Sequence, residues 1–198
     1  MNDIQALYDF RNVHVEFQPA NLFNTGMKEL QVKTKILPKG STIIKEEIHY
    51  QHIYYIKKGI ISVEKQGDIY TFLPNENFVG LNGLMNHQKP FFSFIAFTET
   101  EVVIFERTEV ENYIKKMQEG WLFLYVQEQR FRDNIHECYI FRREKGIRKV
   151  EKAIAFIDKI FPAHPNKPLP PEILYKEFSR FVGIKENNIQ KILKKLYK

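Results

Sequence analysis

The sequence holds one cysteine, Cys138, in 198 residues. A single thiol excludes an intrachain disulfide, a multi-cysteine metal site and a four-thiolate iron–sulfur cluster. No apolar run is long enough to span a bilayer, so no membrane anchor is expected. The opening MNDIQALYDF lacks a basic stretch followed by an apolar core, the form a signal peptide takes. The cytoplasm is therefore the expected compartment. There is no internal repeat and no low-complexity segment. There is also no phosphate loop, no zinc spacing and no Ser-His-Asp pattern, so no enzymatic activity, cofactor or metal is expected. His49, His52, His87 and His136 are scattered along the chain, which gives no clear axial pair for a haem.

Aromatic and basic residues are plentiful. Seventeen Phe and ten Tyr, within 43% hydrophobic content, can fill a sizeable core. The length suits one large domain or two small ones. The net charge of +6 is unevenly placed. From Arg142 to Lys198 there are 15 Lys and Arg against 6 Asp and Glu, a net of +9, and the other 141 residues carry −3. A basic end behind a slightly acidic body points to one module for nucleic acid and one for something else. A solvated lysine-rich surface would look similar on charge alone.

The pattern along the chain divides it further. As far as Glu106, short apolar runs are broken by turn residues. HIYYIKKGIISVEKQGDIYTFL reads as two strands with a turn at Gln66-Gly67-Asp68, and PFFSFIAFTETEVVIFE as two more. Such spacing predicts a small barrel or jelly roll. At Thr108 the period changes. Thr108 is expected to cap a helix reaching Met117, with Glu111 as its capping-box partner. After Gly120 a long helix is expected from Trp121 to Glu144. Leu124, Phe131 and Cys138 fall seven apart, with Glu128, Ile135 and Arg142 interleaved. This is an imperfect heptad seam, read as a dimer interface along Leu124, Phe131, Ile135 and Cys138. A single buried core helix would also fit. A second stripe, Phe123, Val126, Arg130 and Phe141, is expected to face the β-domain. Gly146 marks a hinge, followed by an amphipathic helix over Ile147, Val150, Ile154, Ile157 and Phe161. The proline-rich Pro162–Pro171 stretch must be a loop.

The last stretch, KEFSRFVGIKENNIQKILKKLYK, reads as two short helices about a turn glycine, Gly183. Phe178, Phe181 and Val182 form one apolar face, and Ile189, Ile192, Leu193 and Leu196 the other. The opposite side of the second helix shows Lys185, Glu186, Asn187, Asn188, Gln190 and Lys191. Asn187 and Gln190 suit adenine edges, and Lys185 and Asn188 suit phosphates. The expected division is 1–120 for the barrel, 121–145 for the long helix and hinge, and 146–198 for the DNA-binding end.

The order of these parts resembles the Crp/Fnr family of bacterial transcription regulators. LPKGSTII, IYYIKKGIISV and EFSRFVGIKENNIQKILKKL carry the resemblance, which runs from about Leu30 to Lys198. It implies an α+β fold: an N-terminal jelly-roll β-barrel of the cyclic-nucleotide-binding type, a long dimerisation helix and a C-terminal winged-helix-type helix-turn-helix. It also implies a homodimer on a palindromic double-stranded DNA site, RNA polymerase as a partner, and a role such as activator. The chain departs from the family in three places. Relatives that bind cyclic nucleotides carry a Glu for the ribose and an Arg for the phosphate. Here Leu81 follows Gly80 where the Glu would stand, and Phe91 and Phe92 occupy the Arg and Ser positions. Lys89 is the only cation nearby. A cyclic phosphate against Phe would lose its hydration without a counter-charge, so cyclic AMP is not the expected ligand. The departure is closest to the PrfA-like branch. The base-reading pair differs too, because Glu186 and Asn187 stand where the catabolite-activator branch has Arg and Glu. Finally, the sequence stops at Lys198, so the wing is expected to be missing or truncated. Two other classes stay open. One is a cupin-like metal-dependent enzyme using His49 and His52 with Glu46 or Glu47. The other is a sensor or adaptor with impaired DNA binding.

Overall fold

The structure is a computed structural model that describes residues 30, 32–84, 88–116, 120–162 and 168–197. The opening MNDIQALYDF, His87, the expected helix end at Met117, positions 163–167 of the proline-rich loop and the terminal Lys198 lie outside the described residues. Among the described residues, eight strands make two antiparallel four-stranded sheets. They are β1 (Val32–Leu37), β2 (Thr42–Ile44), β3 (His52–Lys58), β4 (Ile61–Lys65), β5 (Asp68–Leu73), β6 (Phe78–Val79), β7 (Ser93–Ala96) and β8 (Thr100–Glu106). One sheet runs β1-β8-β3-β6 and the other β2-β7-β4-β5. Inward residues of both sheets meet in the middle, as two-sheet packing requires.

HIYYIKKGIISVEKQGDIYTFL forms three strands, one more than the pattern gave. The extra break is at Gly59, where the chain leaves the first sheet and enters the second. Gly59 has φ +102°, and an added Cβ would lie 2.6 Å from the Glu99 carbonyl oxygen. Only glycine fits that crossover without displacing backbone. The expected turn at Gln66-Gly67 then joins β4 to β5, which pair through Lys65 and Asp68.

Five helices follow among the described residues: α1 (Arg107–Lys116), α2 (Gly120–Arg142), α3 (Gly146–Ile157), α4 (Tyr175–Val182) and α5 (Glu186–Leu196). α1 starts one residue before Thr108, so Thr108 lies inside it. Glu111 pairs with Lys115 at 2.6 Å, one turn on. The expected stripe on α2 holds for Phe123, Val126 and Phe141, which are buried against the chain's own barrel and helices. α4 ends at Gly183, which adopts φ +72° and ψ +38°. That left-handed cap lets the chain turn directly into α5. Phe178, Phe181, Val182, Ile189 and Leu193 are buried, and Ile192 and Leu196 pack at their edge.

The largest buried cluster crosses every expected boundary. It joins Ile69, Phe72 and Phe97 of the β-region to Cys138 and Phe141 of α2, and to Phe161, Phe178 and Phe181 beyond. Phe72 sits at the centre. Its ring lies 4.9 Å from Phe97, 5.2 Å from Phe161 and 5.1 Å from Phe181. Each such aromatic pair contributes about 0.5–1.5 kcal/mol beyond area burial.

Candidate functional site

α5 presents the basic polar face. Its apolar side is anchored by Ile189 and Leu193, so the opposite side of the helix points outwards. Lys185, Asn187, Asn188 and Lys191 are exposed, as are Lys194 and Lys195. Glu186 and Gln190 are half-buried and face each other, with Gln190 Nε2 donating to Glu186 Oε1 at 3.5 Å. Five of the six sequence-predicted residues therefore lie in α5 and Lys185 is its N-cap, and four of the six are exposed.

The unit that carries α5 is fastened to the barrel by charge as well as by rings. Arg180 of α4 donates to the Gly67 carbonyl at the β4–β5 turn and to Glu64 Oε2. Glu64 is 8% exposed and also accepts from the buried Ser62 hydroxyl at 2.8 Å. Arg142, at the end of α2, donates to the carbonyls of Ile69 in β5 and Phe181 in α4, and lies over the Tyr70 ring. Lys39 Nζ donates to the Glu172 carbonyl and pairs with Glu177, each at 3.0 Å. The Glu177 carboxylate in turn accepts from the Leu174 amide at 2.8 Å and covers the start of α4. Sequence reasoning missed this junction. One signal was available: Glu64 sits in the otherwise buried strand IISVEK, and a buried carboxylate needs a cation.

The expected heptad seam of α2 does not face outwards as a unit. Cys138 is 2% exposed and packs inside its own chain, so it is not on an outward seam. Burial pushes its thiol up to about 12, against a smaller opposing hydrogen bond from Thr71. Leu124, Phe131 and Ile135 are half-buried, and Phe131 packs against Phe92 and Phe94 of the barrel. Arg142 also turns inwards, and Glu128 accepts from Asn82 Nδ2 in the barrel. The exposed apolar residues of α2 are Trp121, Tyr125, Tyr139 and Ile140 instead. The reason is rotational: an α-helix drifts about 20° per heptad from a strict seven-residue repeat, or about 40° between Leu124 and Cys138.

Three of the four predicted pocket residues, Gly80, Phe91 and Phe92, line one cavity, and Leu81 does not. Leu81 is buried in the core with Phe78, Leu84 and Phe123. Gly80 lies beside it, and its carbonyl accepts from the Tyr50 hydroxyl at 2.7 Å. Burial pushes the Tyr50 phenol up, opposed by the Arg107 guanidinium. Phe91 is 60% exposed, and Phe92 packs on Tyr70 at 5.2 Å. These side chains do not fill the barrel. A cavity of about 390 Å³ stands between Gly80, Phe91, Phe92 and α2. Lys89 is the one cationic residue among those lining it. The His49–His52 grouping does not form: His52 Nε2 lies 3.1 Å from Glu106 Oε1. Among the described residues, no three His, Cys, Asp or Glu side chains converge on a point that could hold a metal. Nor, among those residues, is any helix long and apolar enough to cross a membrane.

Residues 34–117 match the cyclic nucleotide-binding domain family. The match covers the barrel and α1, less than half of the chain. No curated protein is similar to the chain in sequence. Solved structures resemble most of it. FixK2 from Bradyrhizobium japonicum shares 14% identity at a TM-score of 0.68, over 85% of each chain. The global regulator CLP from Xanthomonas campestris, described as c-di-GMP responsive, shares 16% at 0.67, over 93% of this chain and 91% of its own. TTHB099, a CRP-family transcriptional regulator from Thermus thermophilus, shares 14% at 0.65, over 82% and 83%. The fold is that of Crp/Fnr-type regulators. These shares of 82–93% exceed the stretch that the family model matches.

Proposed function

We propose that the chain is a sequence-specific DNA-binding transcription regulator that acts as a homodimer and is not controlled by cyclic AMP. The observation that carries this reading is the exposed face of α5, where Lys185, Asn187, Asn188 and Lys191 project from a helix set at a glycine turn. Among the four accessible positions Asn187 suits an adenine edge, and Asn188 and the lysines suit phosphates. The exposed Trp121, Tyr125, Tyr139 and Ile140 on α2 support pairing of two copies along that helix. Paired copies would present two α5 helices to half-sites roughly one DNA turn, about 34 Å, apart. The barrel is read as the sensor. Its cavity wall offers Phe91 and Phe92 where a sugar-phosphate needs charge and polar partners, in keeping with a PrfA-like branch.

Selection from random double-stranded DNA tests the reading. The expected result is an enriched two-fold symmetric motif, bound with an affinity that falls steeply with salt. Failure to enrich any motif would sink it. Calorimetry with cyclic AMP is expected to give no binding heat.

A further inference from the structure

The barrel cavity is walled by phenyl rings and carries an acid that, among the described residues, has no cationic partner. Phe92 and Phe94 each face Phe131 of α2, with centroids 6.1 and 6.3 Å apart. Phe91 stands at 85° to Phe92, 4.8 Å away. These four rings line the same space, together with the Glu128 side chain. One Glu128 oxygen accepts from Asn82. Among the described residues, no cationic side chain lies within ion-pair distance of that carboxylate. The ring cluster already attracts positive charge on one side, where Lys65 Nζ sits 3.0 Å from the Phe91 centroid. Lys89 lines the exposed mouth.

An anion entering this space would meet ring faces, whose quadrupoles are negative, and a carboxylate. A cation would meet both favourably. The volume of about 390 Å³ suits a small organic molecule. We propose that the cavity binds an organic cation, an amine or ammonium group on an apolar body, with the charge held between Glu128 and the phenyl rings. Glu128 and Phe131 belong to α2, whereas Phe91, Phe92, Phe94 and Asn82 belong to the barrel. A bound cation therefore ties the long helix to the barrel, and competes with Asn82 for the same carboxylate. This deepens the reading of the barrel as a sensor and rests on it. DNA selection tests the output end alone, so either reading can fail while the other stands.

Titration calorimetry on the full chain decides the matter with two matched probes, 3-phenylpropylammonium and 3-phenylpropanol. They share a skeleton and differ in charge. The ammonium is expected to bind at least about tenfold more tightly than the alcohol. Glu128→Gln is expected to remove that preference, with the circular dichroism spectrum unchanged because the site is at the surface. Phe131→Leu is expected to weaken the ammonium several-fold more than the alcohol. Equal binding of the two probes, no saturable binding of the ammonium, or a preference that survives Glu128→Gln would each overturn the proposal.

Discussion

Arg180→Ala removes the guanidinium that meets the buried Glu64 carboxylate and the Gly67 carbonyl. Breaking one side of a fully buried ion pair costs about 3–5 kcal/mol, because the remaining charge is left desolvated. Two features reduce that figure here. The Arg180 side chain is 32% exposed, so water reaches part of the pair. Ser62 still donates to Glu64 after the change. A loss of about 2 kcal/mol follows, which for a chain of this size lowers the melting temperature by about 4–8 °C. Glu64→Gln removes the charge but keeps the shape, and the double variant should be less destabilised than the two single losses combined. A coupling of about 1–2 kcal/mol is expected from the cycle. Urea unfolding followed by circular dichroism measures all four proteins. Additive losses, with coupling below about 0.5 kcal/mol, would refute the junction as an energetic contact.

Phe72→Ala empties the meeting point of three rings and should cost about 3–5 kcal/mol in the same assay. Gly183→Val forces a β-branched residue into φ +72° and should cost at least about 1–2 kcal/mol, with loss of DNA binding as α5 is misplaced. The Cys138 thiol has a raised folded pKa, so its contribution is intact below the unfolded value near 9 and is lost as pH rises towards about 12. Cys138→Ala should flatten that alkaline decline in stability, and the native thiol should resist iodoacetamide at pH ~8 until the chain is unfolded. A native thiol labelled as fast as a free one would contradict the buried placement.

The terminal helix pair was legible because its information is local. Gly183 supplies the left-handed cap, and Phe178, Phe181, Ile189 and Leu193 recur at helical spacing, so boundaries and faces follow from a few neighbours. The barrel strands were legible for the same reason, except at Gly59. There the requirement is the approach of Glu99 from forty residues away, which no local pattern reports. The α2 seam rests on spacing alone. Spacing tells which residues share a face but not which face turns inwards, and helical drift carries Cys138 into the core. The Arg180–Glu64 contact joins positions 116 apart. Each residue has its own hint, a cation on an amphipathic helix and an acid in an apolar strand, but nothing along the chain pairs them. The candidate cavity was half legible. Gly80, Phe91 and Phe92 stand out in the sequence as candidate pocket residues, whereas the approach of Glu128 and Phe131 from α2 depends on how the helix is docked.

The shared cluster around Phe72 limits how this chain can be taken apart or recombined. A barrel cut free after α2 would turn Phe72, Ile69 and Phe97 towards water, and the severed helices would carry Phe161 and Phe181 as a matching sticky face. Grafting a different terminal helix pair onto this barrel would accordingly require that the graft bring a phenyl side chain for the Phe72 contact and an arginine for Glu64. The terminal helices are exchangeable only together with the face on which they rest.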